Sequence, residues 1–150
     1  MDIDFQKVWN RVTAAQPETD NDRLLAFIAD ERRDAAEYSR LARCTSSPQA
    51  KRLFMKLAAD EQEHMKRLLA AMYMRSGDNC PHTGETKTRH CERILPALRR
   101  RYTAEQSEAE AYAAAAASTR DSRLRSLYTE LSKEEQRHGD ALCELFKKLM

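Results

Sequence analysis

The sequence predicts an all-α protein, a four-helix bundle built from a duplicated helical hairpin with a short extra helix at the N-terminus. Three observations carry this. The 150 residues hold only 3 Gly and 4 Pro against abundant Ala, Leu, Glu, Lys and Arg, a composition that favours helix. Apolar residues recur in steps of three and four along four long segments. The second half also repeats the first at one constant offset, with identical pairs at Glu31/Glu105, Ala35/Ala109, Tyr38/Tyr112, Ala42/Ala116, Leu57/Leu131, Glu61/Glu135, His64/His138 and Leu68/Leu142.

The elements follow in order. Residues 1–17 read as a short helical segment with Ile3 or Phe5, Val8, Trp9 and Val12 on one side, ended by Pro17. Residues 20–150 form the bundle. Asp20 or Asn21 would cap a helix running to about Cys44 on the stripe Leu24, Ile28, Glu31, Ala35, Tyr38, Ala42. After the turn Thr45-Ser46-Ser47-Pro48, a second helix runs to about residue 75 on Phe54, Leu57, Glu61, His64, Leu68 and Met72. Ser76 to about Arg89 is loop-like. A third helix then continues to about Thr119 on Ile94, Leu98, Glu105, Glu108, Tyr112 and Ala116, with Pro96 in or near its first turn. Asp121 or Ser122 would cap the fourth, which carries Leu124, Leu127, Leu131, Glu135, His138, Leu142, Leu145 and Leu149. The hairpins are thus about 20–75 and 90–149. If the second and third helices run parallel, their link must travel the bundle length. Roughly 16 extended residues reach about 55 Å, enough to pass a helix of roughly 25 residues and about 38 Å. A taut crossover also invites hairpin exchange, so a homodimer, domain-swapped or side by side, is expected.

Polar residues interrupt these seams in a pattern that points to metal. Glu61-x-x-His64 and Glu135-x-x-His138 each have a Glu upstream at the same spacing, Glu31 and Glu105. A Glu and a His three apart share one helix face. One such motif on a charged helix is a weak signal. Two in register, with two upstream Glu on apolar stripes, match the dinuclear carboxylate site of a four-helix bundle. Buried carboxylates are costly unless they are paired or bind cations. Oxygen ligands with imidazole suit iron or manganese, with zinc a substitute. Glu61 and Glu135 would bridge two ions. His64 and His138 would bind one each, and Glu31 and Glu105 would be terminal ligands. Glu108, one turn beyond Glu105, is a further candidate, and its counterpart is Asp34. Tyr38 and Tyr112, two turns beyond the terminal glutamates, would either orient carboxylates or serve as core aromatics.

The remaining signals exclude more than they assign. A net charge of +2 with no basic face does not imply nucleic acid. No apolar run spans a bilayer, and no signal-peptide core opens the chain. The four cysteines, 44, 80, 91 and 143, form no C-x-x-C, and a reducing cytoplasm is the simplest assignment. The alternative is two structural disulfides in a secreted protein. Cys80, His82, His90 and Cys91 fit no standard zinc spacing and read as ordinary loop residues, while Cys44 and Cys143 read as small, partly buried hydrophobes.

Over about residues 21–149 the chain resembles the rubrerythrin family of the ferritin-like superfamily. The resemblance rests on Glu31…Tyr38…Glu61-x-x-His64 and Glu105-x-x-Glu108…Tyr112…Glu135-x-x-His138, Glu108 being the most specific mark. It implies a di-iron site that reduces hydrogen peroxide and supports oxygen tolerance. It also implies a redox-linked exchange of one iron between Glu108 and His64, which makes these two the catalytic candidates. Two departures stand out. The paired C-x-x-C of a rubredoxin-like module is not among these residues, so electrons would come from a separate donor, such as a rubredoxin-like protein. Asp34 stands where the family usually has a small residue. A ferroxidase or iron-handling role, with oxygen as oxidant, and a non-enzymatic helical interaction bundle are the alternatives.

Overall fold

The computed structural model describes residues 19–77 and 90–150. The expected N-terminal helix, Cys80 and His82 lie outside the described residues. Four helices are present, and no strand occurs among the described residues: α1 (Asp20–Cys44), α2 (Pro48–Ser76), α3 (Ile94–Ser118) and α4 (Ser122–Leu149).

Local chemistry sets the ends. Thr19, not Asp20 or Asn21, caps α1. Its hydroxyl accepts from the Asp22 amide at 3.1 Å, and the Asp22 carboxylate accepts from the Thr19 amide at 3.2 Å, a reciprocal capping box that makes Asp20 the first helical residue. Ser47 caps α2 with Pro48 at its first position, where the missing N–H costs nothing. Gly77 ends α2 at φ +72°, a left-handed conformation open to glycine at no steric cost. Asp121 caps α4 by accepting from the amides of Arg123 and Leu124.

α3 begins at Ile94, with Pro96 in its first turn, and the cysteines show what holds the chain just before it. Cys44 and Cys91 form a disulfide with their Cα atoms 5.6 Å apart. The Arg40 guanidinium donates to the His90 carbonyl at 3.0 Å and to Glu92 at 3.1 Å. Together these hold residues 90–92 against the end of α1, and Arg93 is extended as the N-cap. This corrects two expectations: Cys44 is not a lone hydrophobe, and Cys91 is not an ordinary loop residue. The missed signal is tertiary, because the pairing joins positions far apart in sequence and appears only when helix ends meet. The cysteine argument for a reducing compartment does not hold for this pair. Cys143 is free and half-buried.

α1 packs on α2 and α3 on α4. The two hairpins meet with α1 antiparallel to α3, as the pairs Arg23–Ser118, Phe27–Tyr112 and Tyr38–Glu105 show. α2 is antiparallel to α4, from Arg75–Asp121 to His138–Asp60. α2 and α3 therefore run parallel, and Gly77 and His90 sit at opposite ends of the bundle.

The core has two apolar halves. One gathers Leu41, Phe54, Leu57, Leu98, Leu142 and Leu145; the other gathers Leu24, Ile28, Leu68, Leu124, Tyr128 and Leu131. Between them lies a buried layer of Glu31, Asp34, Glu61, His64, Arg101, Glu105, Glu135 and His138. No helix of the described residues is long and apolar enough to cross a membrane.

Candidate metal centre

Each helix delivers its polar residues from an otherwise apolar seam. Glu31 comes from α1, Glu61 and His64 from α2, Glu105 from α3, and Glu135 and His138 from α4. Glu61, Glu105 and Glu135 are fully buried, and Glu31 and His64 are 1 % exposed. The six side chains fall into two overlapping groups, each with ligand atoms within 4.8 Å of one another. One is Glu31, Glu61, His64 and Glu135; the other is Glu61, Glu105, Glu135 and His138. Glu61 and Glu135 belong to both, the arrangement that bridging carboxylates need.

The distances repeat across the pseudo-twofold axis. His64 Nδ1 lies 3.0 Å from Glu135 Oε1, 3.3 Å from Glu61 Oε2 and 3.5 Å from Glu31 Oε2. His138 Nδ1 lies 2.8 Å from Glu61 Oε1, 3.0 Å from Glu135 Oε2 and 3.6 Å from Glu105 Oε2. The imidazoles stack with centroids 5.4 Å apart. Both tyrosines reach across the hairpins: the Tyr38 hydroxyl donates to Glu105 Oε1 and the Tyr112 hydroxyl to Glu31 Oε1. This leaves the Oε2 of each terminal glutamate pointing into the centre with no hydrogen bond.

Glu108 joins neither group. It is half-buried on α3, its Oε2 is shielded from solvent and unpartnered, and it faces Asp34. Asp34 is itself 3 % exposed and bonded to Arg101 at 3.2 Å.

Sequence reading missed three residues. His64 Nε2 lies 2.5 Å from Glu134 Oε2, and His138 Nε2 lies 3.1 Å from Asp60 Oδ2. Each acid immediately precedes the Glu of the opposite motif, so Asp60-Glu61-x-x-His64 and Glu134-Glu135-x-x-His138 hold each other's imidazoles. An acidic residue at the same place in both repeats was the available signal. These outer carboxylates orient the rings and leave Nδ1 to face the centre. Lys56 and Arg67 in turn neutralise Asp60 and Glu134. The third residue is Arg101, on the α3 seam between Leu98 and Glu105. An open surface pocket lined by Lys56, Glu63, Arg67 and Arg137 leads to the outer edges of both histidines.

The electrostatics are those of anions crowded in a dry layer. Burial, then the neighbouring Glu61 carboxylate, pushes Glu31 up to about 8. Burial also raises Glu105, with Glu135 adding to it. Burial and the facing Asp34 raise Glu108 far above the carboxylate range. Burial alone would discharge the histidines, but the surrounding carboxylates outweigh it: His138 is held up to about 12 and His64 rises in the same direction. Protons thus balance the cluster in the absence of other cations. Neither Glu61 oxygen accepts a well-directed hydrogen bond. Orphaned oxygens, shared carboxylates and inward imidazole nitrogens are a donor set that could hold metal.

The family model for rubrerythrin matches residues 22–150. This chain belongs to the rubrerythrin family. Comparison with curated proteins and with solved structures gives no match. For a rubrerythrin-family chain the bundle is the ferritin-like one, and family membership points to iron at the Glu/His cluster.

Proposed function

We propose that this chain is a di-iron protein that reduces hydrogen peroxide, taking electrons from a separate donor such as a rubredoxin-like protein. The observation that carries the reading is the pseudo-twofold ligand set with one added acid. Glu108 stands one turn from Glu105 with a shielded, unpartnered oxygen. A storage or packing role gives no reason to keep such a group beside four buried glutamates.

When bound, a ferrous pair supplies the two electrons that reduction of one peroxide to two waters requires. The remaining work belongs to the chain. Glu61 and Glu135 would bridge the ions. Glu31 with His64 and Glu105 with His138 would hold one each. Tyr38 and Tyr112 fix the terminal carboxylates by donating to one oxygen of each. Asp60 and Glu134 hold the Nε2 edges, so the imidazoles cannot turn away. Glu108, which favours its protonated form beside Asp34, is placed to hold or release a proton within one turn of Glu105. The apolar clusters above and below close the two ends of the layer, and the pocket at the outer edges of the histidines is its opening to solvent. The same proposal includes a cytoplasmic role in oxygen tolerance, where Cys44 and Cys91 would rest as thiols and close under oxidising conditions. It also includes a homodimer, which a monomeric mass by light scattering would exclude.

Anaerobic loading with ferrous iron followed by peroxide or oxygen tests the activity. Two irons per chain, oxidised faster by peroxide than by oxygen, is the expected result. Rapid oxygen-driven oxidation of more than two irons per chain would replace the proposal with iron handling. Failure to bind stoichiometric iron would leave only a helical interaction bundle. Glu108→Ala should spare the fold and change the optical spectrum of the oxidised site; an unchanged spectrum removes Glu108 from the chemistry.

A further inference from the structure

Besides Asp34 and Glu108, the twofold relation fails at a second place beside the site. Phe27 in the first hairpin is matched, at the offset that relates the two repeats, by Arg101 in the second. Phe27 stacks on Tyr112 with centroids 4.2 Å apart, while the Arg101 guanidinium lies 4.5 Å over the Tyr38 ring. Each of these tyrosines donates to one terminal glutamate. The two Tyr–Glu pairs are therefore alike except for the group that covers the ring.

Arg101 is 3 % exposed, and burying a guanidinium is costly without charged partners. Phe27 shows that an uncharged side chain fills the equivalent place. The cation has two anionic partners: Nη1 donates to Asp34 at 3.2 Å and Nη2 to Glu105 Oε1 at 3.4 Å. Glu105 Oε1 thus receives two donors, one of them charged, and only Oε2 remains for the centre. Glu31 Oε1 receives the Tyr112 hydroxyl, and the uncharged Phe27 covers that tyrosine. A carboxylate tied to a guanidinium donates less electron density and is less free to turn both oxygens inward. A fixed positive charge one carboxylate away also opposes an incoming cation.

We propose that Arg101 is a positioning residue that makes the two metal positions unequal. The Glu31–His64 position fills first and tightly; the Glu105–His138 position fills second and more weakly. The inference rests on the dinuclear reading above and goes beyond it by ordering the two positions. Asp34 has a role in the same device. It offsets part of the guanidinium charge, and Arg101 engages its Oδ1 and limits its freedom to join Glu108 as a ligand.

The test is anaerobic titration with cobalt(II), followed by calorimetry and by visible absorption. Wild type should bind two ions in steps separated by about tenfold or more, the scale of one partly screened charge. His138→Ala should keep the tight step, and His64→Ala should lose it. Arg101→Phe should draw the two steps together, whereas Arg101→Lys should keep them apart. Because Arg101→Phe leaves Asp34 buried without its partner, Asp34→Ala/Arg101→Phe must show the same convergence. Arg101→Met serves where the bulkier variant does not fold, as judged by circular dichroism. Two wild-type steps of equal affinity overturn this inference alone, as does a separation that persists in the double variant. A wild type that binds no stoichiometric cobalt overturns the dinuclear reading and this inference with it.

Discussion

Raising the pH of the metal-free protein should weaken it, and loading it with metal should remove most of that sensitivity. Glu31 moves from an ordinary value of 4.5 to about 8 on folding, because burial and Glu61 disfavour its charge. The folded state then holds a proton that the unfolded chain has lost throughout the interval between those values. Its contribution is fully present below pH 4.5 and disappears as pH rises through 8. Between pH 6 and pH 9, Glu31 alone loses about 2–3 kcal/mol of stabilisation. His138, raised from 6.5 to about 12, acts in the same direction. Its contribution is fully present below 6.5 and is lost as pH rises through 12, and the raised His64 and Glu105 act likewise. At a urea sensitivity of about 2 kcal/mol per molar, the Glu31 loss alone moves the unfolding midpoint by about 1 M. The assay is urea unfolding followed by far-ultraviolet circular dichroism at pH 6 and pH 9, with the disulfide kept oxidised. Metal-free and anaerobically manganese-loaded protein are compared. Bound cations displace the same protons, so the loaded protein should hold its midpoint across this range. A metal-free midpoint that stays level or rises from pH 6 to pH 9 would refute the reasoning. An equal fall in the loaded protein would place the metal elsewhere.

Three further outcomes follow from particular contacts. Glu61→Ala or Glu135→Ala removes a carboxylate shared by both ligand groups, so stoichiometry by elemental analysis should fall from two ions per chain to one or none; two retained ions would contradict bridging. Tyr112→Phe leaves Glu31 Oε1 buried without a donor and should lower the unfolding free energy by about 1–3 kcal/mol while two ions still bind. An unchanged urea midpoint would show that this hydrogen bond is not a net contributor. Opening the Cys44–Cys91 link, by reductant or by Cys44→Ser, releases a long loop in the unfolded chain, with up to about 4 kcal/mol of lost stability. Reduced and oxidised protein with coincident urea midpoints would refute the staple.

The family and the buried Glu/His cluster were legible because periodicity and repetition are one-dimensional signals. A Glu or His every third or fourth place on an apolar seam must turn inward with its neighbours, and the repeat places the same chemistry in both hairpins. The ligand candidates Glu31, Glu61, His64, Glu105, Glu135 and His138 could therefore be read without coordinates, whereas the parallel course of the second and third helices entered only as a condition on the length of their link. Helix ends were legible only to within a few residues. Thr19 competes with Asp20 and Asn21 for one cap, and α3 starts where Arg40 and Cys91 stop holding the chain extended. Asp60 and Glu134 were missed because each acts on the histidine of the other repeat.

By itself, the sequence determined four helices, their seams and an inward ring of carboxylates and imidazoles. Only the tertiary structure decided which groups meet across the hairpins. The tyrosines exchange partners, the outer acids exchange histidines, Cys44 finds Cys91, and Arg101 takes the place that Phe27 holds opposite. The physical reason is that periodicity fixes the face of a helix on which a residue stands. The residue it faces depends on how two hairpins settle against each other, and that is set by packing and charge between groups far apart in the chain.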